Sequence, residues 1–296
     1  MNLAKPLFVM IVLLLLNGCS RVTFGYNHGD WLLRYWINGY TSFDAGQKDE
    51  IRREVAAYMR WHRQHALPEY IAFLQYLKAL ADQDTALKPG DVTHIRSEIG
   101  RLYKLTVTPL IRPTAHILST LTSQQIAELR TTLADQNREQ SEELLPGSEQ
   151  ENLAARAKGY IHFTEDLVGH LSAEQERKIE EMSMRVPFTT ANYLEHREAK
   201  QAGLIALLNR HADADQIASY FQHWYDPASA QEQQATDAYD NAMNDMIART
   251  YALLTPKQKD HLRKKISSYI DDFNKLHAAM ATESAALAAP PAVSAE

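Results

Sequence analysis

The sequence feature that most restricts the fold is a helix-start pattern that occurs four times. In each copy a Phe or Leu precedes a Ser, Thr or Asp, and a Gln stands three residues further on. This spacing is typical of a capping box, in which the cap side chain accepts from an amide of the first turn and the Gln side chain returns to the cap amide. Each cap contributes about 1 kcal/mol and fixes where a helix begins. The four copies are Phe43-Asp44-Ala45-Gly46-Gln47, Leu121-Thr122-Ser123-Gln124-Gln125, Leu171-Ser172-Ala173-Glu174-Gln175 and Leu254-Thr255-Pro256-Lys257-Gln258.

Apolar residues recur at three- and four-residue steps, which is the spacing of a buried helix face. Two clear stripes are Ile51, Val55, Tyr58, Met59, His62 and Ala66, and Leu262, Ile266, Tyr269, Ile270, Phe273, Leu276 and Met280. No segment alternates with the period of two that a half-buried strand requires. The sequence therefore predicts an all-α fold, an elongated multi-helix bundle of about eight to ten helices with short connections. Pro68 predicts an interruption, and Pro109 and Pro113 predict that residues 110–121 form a kinked or separate segment.

The amino terminus has the pattern of an export signal. Leu7 to Leu16 contains no charge, follows Lys5, and is too short to cross the ~30 Å core of a bilayer as a helix. Leu16-Asn17-Gly18-Cys19 resembles a bacterial lipobox, which implies that Cys19 is acylated and becomes the first residue of the mature protein. An ordinary secretory signal that happens to contain a cysteine is the alternative. Ser20 stands where an Asp would resemble an inner-membrane retention signal, so we expect the periplasmic face of the outer membrane.

The chain divides by composition into four parts. We predict a lipoprotein signal peptide over 1–18, a short polar lipidated tether over 19–29, and a helical domain over 30–282 with a candidate sub-domain boundary near 144–148. The Ala- and Pro-rich segment 283–296 cannot bury an apolar face, and we predict a disordered tail there. The aromatic segment that begins at Asp30 could lie on a membrane surface, but we favour a first short helix packed into the core.

Charge and cysteine content exclude several classes of function. The net charge is −6, and removal of Lys5 with the signal peptide takes it to −7. A mildly acidic exported protein is a poor candidate for binding nucleic acid, because it lacks a stripe of cations to neutralise phosphates. Cys19 is the single cysteine, so once it is acylated the chain has no disulfide, catalytic thiolate or zinc–thiolate site. No Gly-rich nucleotide loop or serine-hydrolase elbow occurs, and we predict no cofactor.

The strongest cluster of candidate metal ligands is His62, His65 and Glu69. On an unbroken helix these residues stand at i, i+3 and i+7, close enough to share one metal ion. Pro68 bends the helix just before Glu69, and the His-Glu-x-x-His spacing of zinc proteases is absent. His62 also lies on the apolar stripe, where a hydrogen-bonded core histidine is the alternative. We favour that structural role.

Two resemblances to known proteins follow from these residues. The four helix starts resemble the Leu-Thr-x-x-Gln motif of small all-helical periplasmic stress chaperones, although shared capping chemistry explains the same pattern. A broader set of residues resembles a family of uncharacterised proteobacterial lipoproteins that contain a domain of unknown function. That set is Cys19-Ser20, Tyr26-Asn27, Asp30-Trp31, Trp36-Ile37, Gln47, Trp61-His62-Arg63 and Leu67-Pro68-Glu69-Tyr70. This resemblance implies an exported helical lipoprotein and no particular activity.

The sequence thus favours a non-enzymatic protein with a binding or structural role in the envelope. Its predicted partners are the membrane, through the lipid on Cys19, and an unidentified protein or envelope component. Two alternatives remain open. One is a holdase-like periplasmic chaperone, suggested by the Thr-x-x-Gln motif. The other is a metal-dependent hydrolase of envelope material that uses His62, His65 and Glu69.

Overall fold

A computed structural model describes residues 19–288 apart from Asp84 and Ala228, and it describes side chains from residue 23 to residue 278. The predicted signal peptide and residues 289–296 of the predicted tail lie outside the described residues. The described residues form helices and no strand, which confirms the all-α prediction. None of the helices in this part of the chain is both long enough and apolar enough to cross a membrane.

The helices follow one another through short connections. In chain order they are α1 (Cys19–Asn27), α2 (Gly29–Asn38), α3 (Ala45–Trp61), a π-helical turn (His62–Ala66), α4 (Leu67–Asp82), α5 (Pro89–Ser119), α6 (Ser123–Leu144), α7 (Glu149–Val168), α8 (Ala173–Ser183), α9 (Thr190–Asn209), α10 (Ala214–Gln222), α11 (Ala230–Ala252) and α12 (Pro256–Ala288). Within residues 19–288 the helices outnumber the predicted eight to ten, partly because residues 19–27, predicted to be part of a tether, are helical. The last helix continues into the segment predicted to be a tail.

All four predicted helix starts have the geometry of a capping box. Asp44, Thr122, Ser172 and Thr255 each accept from the backbone amide of the Gln three residues later. Each Gln side chain returns to the backbone amide of its cap residue. The four boxes therefore determine where α3, α6, α8 and α12 begin.

The separate segment predicted after Pro109 and Pro113 is wrong, because α5 continues as one helix through both residues. Each proline removes one backbone donor from the helix. Buried residues on both sides hold the helix in place, among them Thr106 before the prolines and Ala115 and Ile117 after them. Packing of these flanking turns therefore outweighs the missing hydrogen bonds.

Pro68 does coincide with an irregularity, as predicted. The chain turns through a π-helical segment, in which the amide of Leu67 donates to the carbonyl of His62, and Pro68 then occupies the first turn of α4. Residues 45–82 are helical without a gap through the π turn, so Pro68 lies inside a continuous helical run. The π turn directly before Pro68 accommodates the backbone hydrogen bond that the proline cannot make.

The buried side chains form two hydrophobic clusters. The larger core is centred on α3, α5, α6, α9 and α10, and it includes Tyr26 of α1 and Leu276 of α12. The smaller core is formed by the end of α7, by α8 and the residues after it, and by α11. The larger core takes residues from both sides of the 144–148 connection, so that connection does not separate the two cores. The long helix α12 packs against α4, α7 and α1.

Candidate functional site

His62 lies at the centre of a buried polar network between α1 and α4. The side chain of His62 is 3% exposed and that of Tyr26 is 4% exposed. Nδ1 of His62 is 2.6 Å from the hydroxyl of Tyr26, and Nε2 is 3.4 Å from the hydroxyl of Tyr70. The network continues from Tyr70 to the hydroxyl of Thr106 in α5.

The hydrogen bonds of this network can be assigned a single order of donors and acceptors. Thr106 donates to the carbonyl of Leu102 at 2.8 Å, so its oxygen is left to accept from Tyr70. Tyr70 then accepts from Nε2–H of His62, whose Nδ1 accepts from Tyr26. This order uses each hydroxyl proton once and requires a neutral imidazole. Burial, and to a smaller extent the adjacent positive charge of Arg63, lowers the pKa of His62 to about 4.

Arg63 also contacts α1. Its guanidinium lies 5.3 Å from the centroid of the Tyr26 ring and 3.4 Å from the side-chain oxygen of Asn27. Its backbone carbonyl accepts from Nδ1 of His277 in α12 at 3.1 Å. The π turn therefore joins the first helix of the described chain to the last one.

The three candidate metal ligands are not brought together. Both ring nitrogens of His62 lie against tyrosine hydroxyls. His65 is exposed, with Nδ1 3.1 Å from the carbonyl of Trp61, and Glu69 accepts from Arg101 at 2.9 Å. Within the described residues no group of three or more His, Cys, Asp or Glu could hold a metal ion. The geometry favours the structural alternative for His62, because the π turn replaces the regular helix that the i, i+3, i+7 spacing assumes.

The residues around the predicted lipidation site differ from the prediction. The chain is helical from Cys19, the first described residue, and the side chain of Cys19 lies outside the described part of the structure. The polar segment predicted to be a tether forms α1, and Tyr26 is buried in the larger core. Composition alone could not reveal this, since the partners that hold Tyr26 stand 36 and 37 residues further along the chain, at His62 and Arg63.

The structure also pairs the glutamines of the four predicted capping boxes, which the sequence analysis missed. In the first glutamine pair, Gln125 donates to Gln47 at 2.6 Å and Gln47 donates back at 3.3 Å. In the second glutamine pair, Gln175 donates to Gln258 at 2.8 Å and Gln258 donates back at 3.1 Å. All four side chains are buried. One signal could have revealed the pairs, namely their similar sequence separations of 78 and 83 residues.

The two pairs have the same further contacts. Each glutamine amide also donates to a backbone carbonyl five residues before its partner glutamine. These bonds are Gln47 to Thr120 at 3.3 Å, Gln125 to Ser42 at 2.9 Å, Gln175 to Leu253 at 2.8 Å, and Gln258 to His170 at 2.8 Å. Every pair thus links two helix starts to each other, and α3 is joined to α6 in the same way as α8 is joined to α12.

Residues 39–223 match the family model DUF6279, which is described as a family of unknown function. The match covers more than half of the chain. The protein belongs to DUF6279. This membership confirms the predicted resemblance at the level of a family of unknown function. No match was found among curated proteins, and none among solved structures.

The DUF6279 match includes some residues of the site and leaves others out. His62 and the first glutamine pair lie inside the matched range, together with Gln175. Tyr26, Cys19 and Gln258 lie outside it. The matched range therefore contains His62 of the polar network, whereas Tyr26 and the rest of helix α1 precede it.

Proposed function

We propose that this protein is an exported lipoprotein, held at the periplasmic face of the outer membrane by acyl chains on Cys19. Its helical body binds a protein or another envelope component and catalyses no reaction. The observation that carries this proposal is the direct connection between the lipobox and the folded body. Leu16-Asn17-Gly18-Cys19 leads straight into α1, and Tyr26 of that helix is buried against His62.

Physical estimates favour a short, stiff attachment. Each buried methylene contributes about 0.8 kcal/mol, so two or three acyl chains hold a protein durably whereas one chain holds it weakly. At about 1.5 Å per residue, a helix places Tyr26 roughly 10 Å from Cys19. A body attached in this way stays close to the lipid surface, where an envelope component is within reach.

The arrangement of His62 supports a binding role over catalysis. A catalytic histidine must reach a substrate and exchange a proton near neutral pH. His62 is enclosed by Tyr26 and Tyr70, and its pKa is lowered to about 4 by burial. The group therefore serves best as a fixed connection between α1 and the body.

Substitution of Cys19 tests the anchoring. Cys19→Ser removes the acceptor of the lipid, so the protein should leave the outer-membrane fraction or keep its signal peptide. Ser20→Asp, in a host that uses the enteric sorting rule, should move the protein to the inner membrane. Unchanged outer-membrane fractionation of Cys19→Ser would rule out lipid anchoring through this residue.

In-cell cross-linking tests the binding role. The wild type should give a discrete adduct heavier than the monomer, and the adduct should decrease when Cys19→Ser moves the body away from the membrane. His65→Ala, an exposed change that leaves Cys19 in place, serves as the matched control. Recovery of the monomer alone under all conditions would contradict a binding role.

A holdase-like chaperone is a second candidate. The observation that favours it is the pairing of four helix starts whose sequences resemble the Leu-Thr-x-x-Gln motif of periplasmic stress chaperones. A holdase should suppress the aggregation of a thermally unfolding test enzyme at near-equimolar amounts, as measured by light scattering. No suppression at a several-fold excess would eliminate this candidate.

A further inference from the structure

The first two helices carry exposed aromatic side chains. Phe24 is 65% exposed, Trp31 is 55% exposed and Tyr35 is 61% exposed. A single exposed aromatic residue needs no explanation, but several on one surface mark a contact with a partner. We call these three residues the aromatic row.

The aromatic row occupies one face of a nearly continuous helix. The amide of His28 donates to the carbonyl of Phe24 at 3.2 Å, and that of Leu32 donates to the carbonyl of His28 at 3.0 Å. These i to i−4 bonds carry the helical register from α1 into α2. Phe24, His28, Trp31 and Tyr35 then follow one another at steps of four, three and four, which place them on the same face. The rings of Trp31 and Tyr35 stack with their centroids 5.6 Å apart.

The opposite face of the same helices packs against the body. Tyr26 is bonded to His62, and the buried Gly29 lies so close to Met59 that a β-carbon there would stand 2.8 Å from its methyl group. Leu33 and Ile37 continue this face and pack against the larger core. The aromatic row therefore points away from the protein, and α2 is apolar on both sides.

We propose that the aromatic row lies in the interfacial layer of the membrane that carries Cys19. This inference rests on the proposed lipid anchoring and specifies how the body is oriented. The row begins five residues after Cys19 and extends for about 16 Å along the helix. Helices α1 and α2 then lie along the lipid surface, with the aromatic row among headgroups and upper acyl chains.

Three features of the chain select lipid as the occupant. Cys19, the proposed attachment point of the acyl chains, stands five residues before Phe24, so the chain enters the described structure from the membrane side. Trp and Tyr are the residues that favour the membrane interface. The two charged residues of α2, Asp30 and Arg34, form an ion pair at 3.1 Å and so add no net charge to this surface.

Quenching of tryptophan fluorescence by brominated lipid tests the proposal. The chain contains four tryptophans, of which Trp31 belongs to the aromatic row and Trp224 packs against the larger core. The full-length protein is purified from membranes and reconstituted in phosphatidylcholine vesicles with bromines near the headgroup end of the acyl chains. The wild type should be quenched, Trp31→Phe should lose most of that quenching, and Trp224→Phe should keep it.

The outcomes separate this inference from the proposed function. The mass of the amino-terminal peptide, measured on the same sample, reports whether Cys19 is acylated. An acylated protein whose Trp31 is not quenched would overturn the orientation and leave the anchoring intact. Quenching of Trp31 without acylation would support the orientation and overturn the lipid anchor. A dimer that Trp31→Ser dissociates, together with absent quenching, would instead assign the aromatic row to a second copy of the chain.

Discussion

The first and second glutamine pairs have the same bonds but lie in unlike surroundings. The first pair lies beside the larger core, which also receives Tyr26 and the residues around His62. The second lies beside the smaller core. Because the paired glutamine bonds match, a difference in stability between the two regions should come from what surrounds the pairs, namely the packing and the other polar contacts. The glutamine pairs position two helix starts against each other, and the surrounding core determines the free energy of unfolding of each region.

Polar contacts around the pairs also differ. Near the first pair, Glu128 of α6 accepts from the amide of Ser42 at 2.8 Å and from the hydroxyl of Thr41 at 2.9 Å. These bonds connect α6 to the segment before α3. Near the second pair, Glu165 of α7 accepts from the amide of Leu171 at 3.1 Å, only six residues further along the chain. Glu128 therefore connects residues further apart in the sequence than Glu165 does. We expect the region around the second pair, which has the smaller core, to unfold more readily.

Acid should weaken the first region most. The unfolded chain binds a proton at His62 below a pH of about 6.5, whereas the folded chain resists protonation down to a pKa of about 4. The free energy of unfolding should therefore fall by up to about 3 kcal/mol as the pH is lowered from about 6.5 to 4, because only the unfolded chain binds a proton at His62 in this range. Denaturation followed by tryptophan fluorescence measures it, since Trp61 and Trp224 pack against the larger core.

His62→Gln provides the control for this acid effect, because it removes the titrating group and keeps a polar side chain. We expect its stability to vary less between pH 6.5 and 4 than that of the wild type. His65→Gln, at an exposed position, should behave as the wild type does. Equal pH dependence of all three proteins would contradict the buried neutral histidine.

Breaking one glutamine pair should cost about 1–3 kcal/mol, because buried partners lose their hydrogen bonds. Gln125→Ala should shift the unfolding transition that is followed by tryptophan fluorescence. Gln258→Ala should shift the transition followed by circular dichroism, which reports both regions, more than it shifts the fluorescence transition. In a double-mutant cycle, Gln47 and Gln125 should couple, whereas Gln125 and Gln258 should add within about 0.5 kcal/mol. Strong coupling between the two pairs, or coincident shifts of both signals, would show that the regions unfold as one unit.

Removing one cap hydroxyl should have a smaller effect. Thr122→Ala and Ser172→Ala each remove the side-chain acceptor from a capping box and should each cost about 1 kcal/mol. Similar values, measured by urea denaturation, would support equal roles for the two helix starts. A lower free energy of unfolding in only one of the two variants would show that the two helix starts contribute unequally despite their matching geometry.

Chelation of metal ions should have no effect on stability. His62, His65 and Glu69 each have a protein partner, so a chelator should leave the melting temperature of the wild type unchanged. His65→Ala should change stability by less than about 0.5 kcal/mol, as is usual for an exposed residue. Stoichiometric zinc that disappears in both His62→Ala and His65→Ala would establish a metal site and contradict the structural role.

The sequence predicts the features that depend on neighbouring residues. The capping boxes at Asp44, Thr122, Ser172 and Thr255 need only four consecutive residues, so all four helix starts were predictable. The glutamine pairs depend on helices that meet across 78 or 83 residues, and spacing within one helix carries no such information.

Two further differences have the same origin. The helix through Pro109 and Pro113 persists because its flanks are buried by other helices, which local proline rules do not consider. Helix α1 is held through Tyr26 by His62, far along the chain, so its polar composition predicted a tether. In each case a long-range contact outweighs the local preference.

Tandem mass spectrometry of the amino-terminal peptide, from the protein purified out of membranes, tests the lipid anchoring most directly. We predict that the mature chain begins at Cys19 and that this residue carries a diacylglyceryl group and further acylation. A chain that retains residues 1–18, or one that begins elsewhere without lipid, would contradict the anchored attachment of α1.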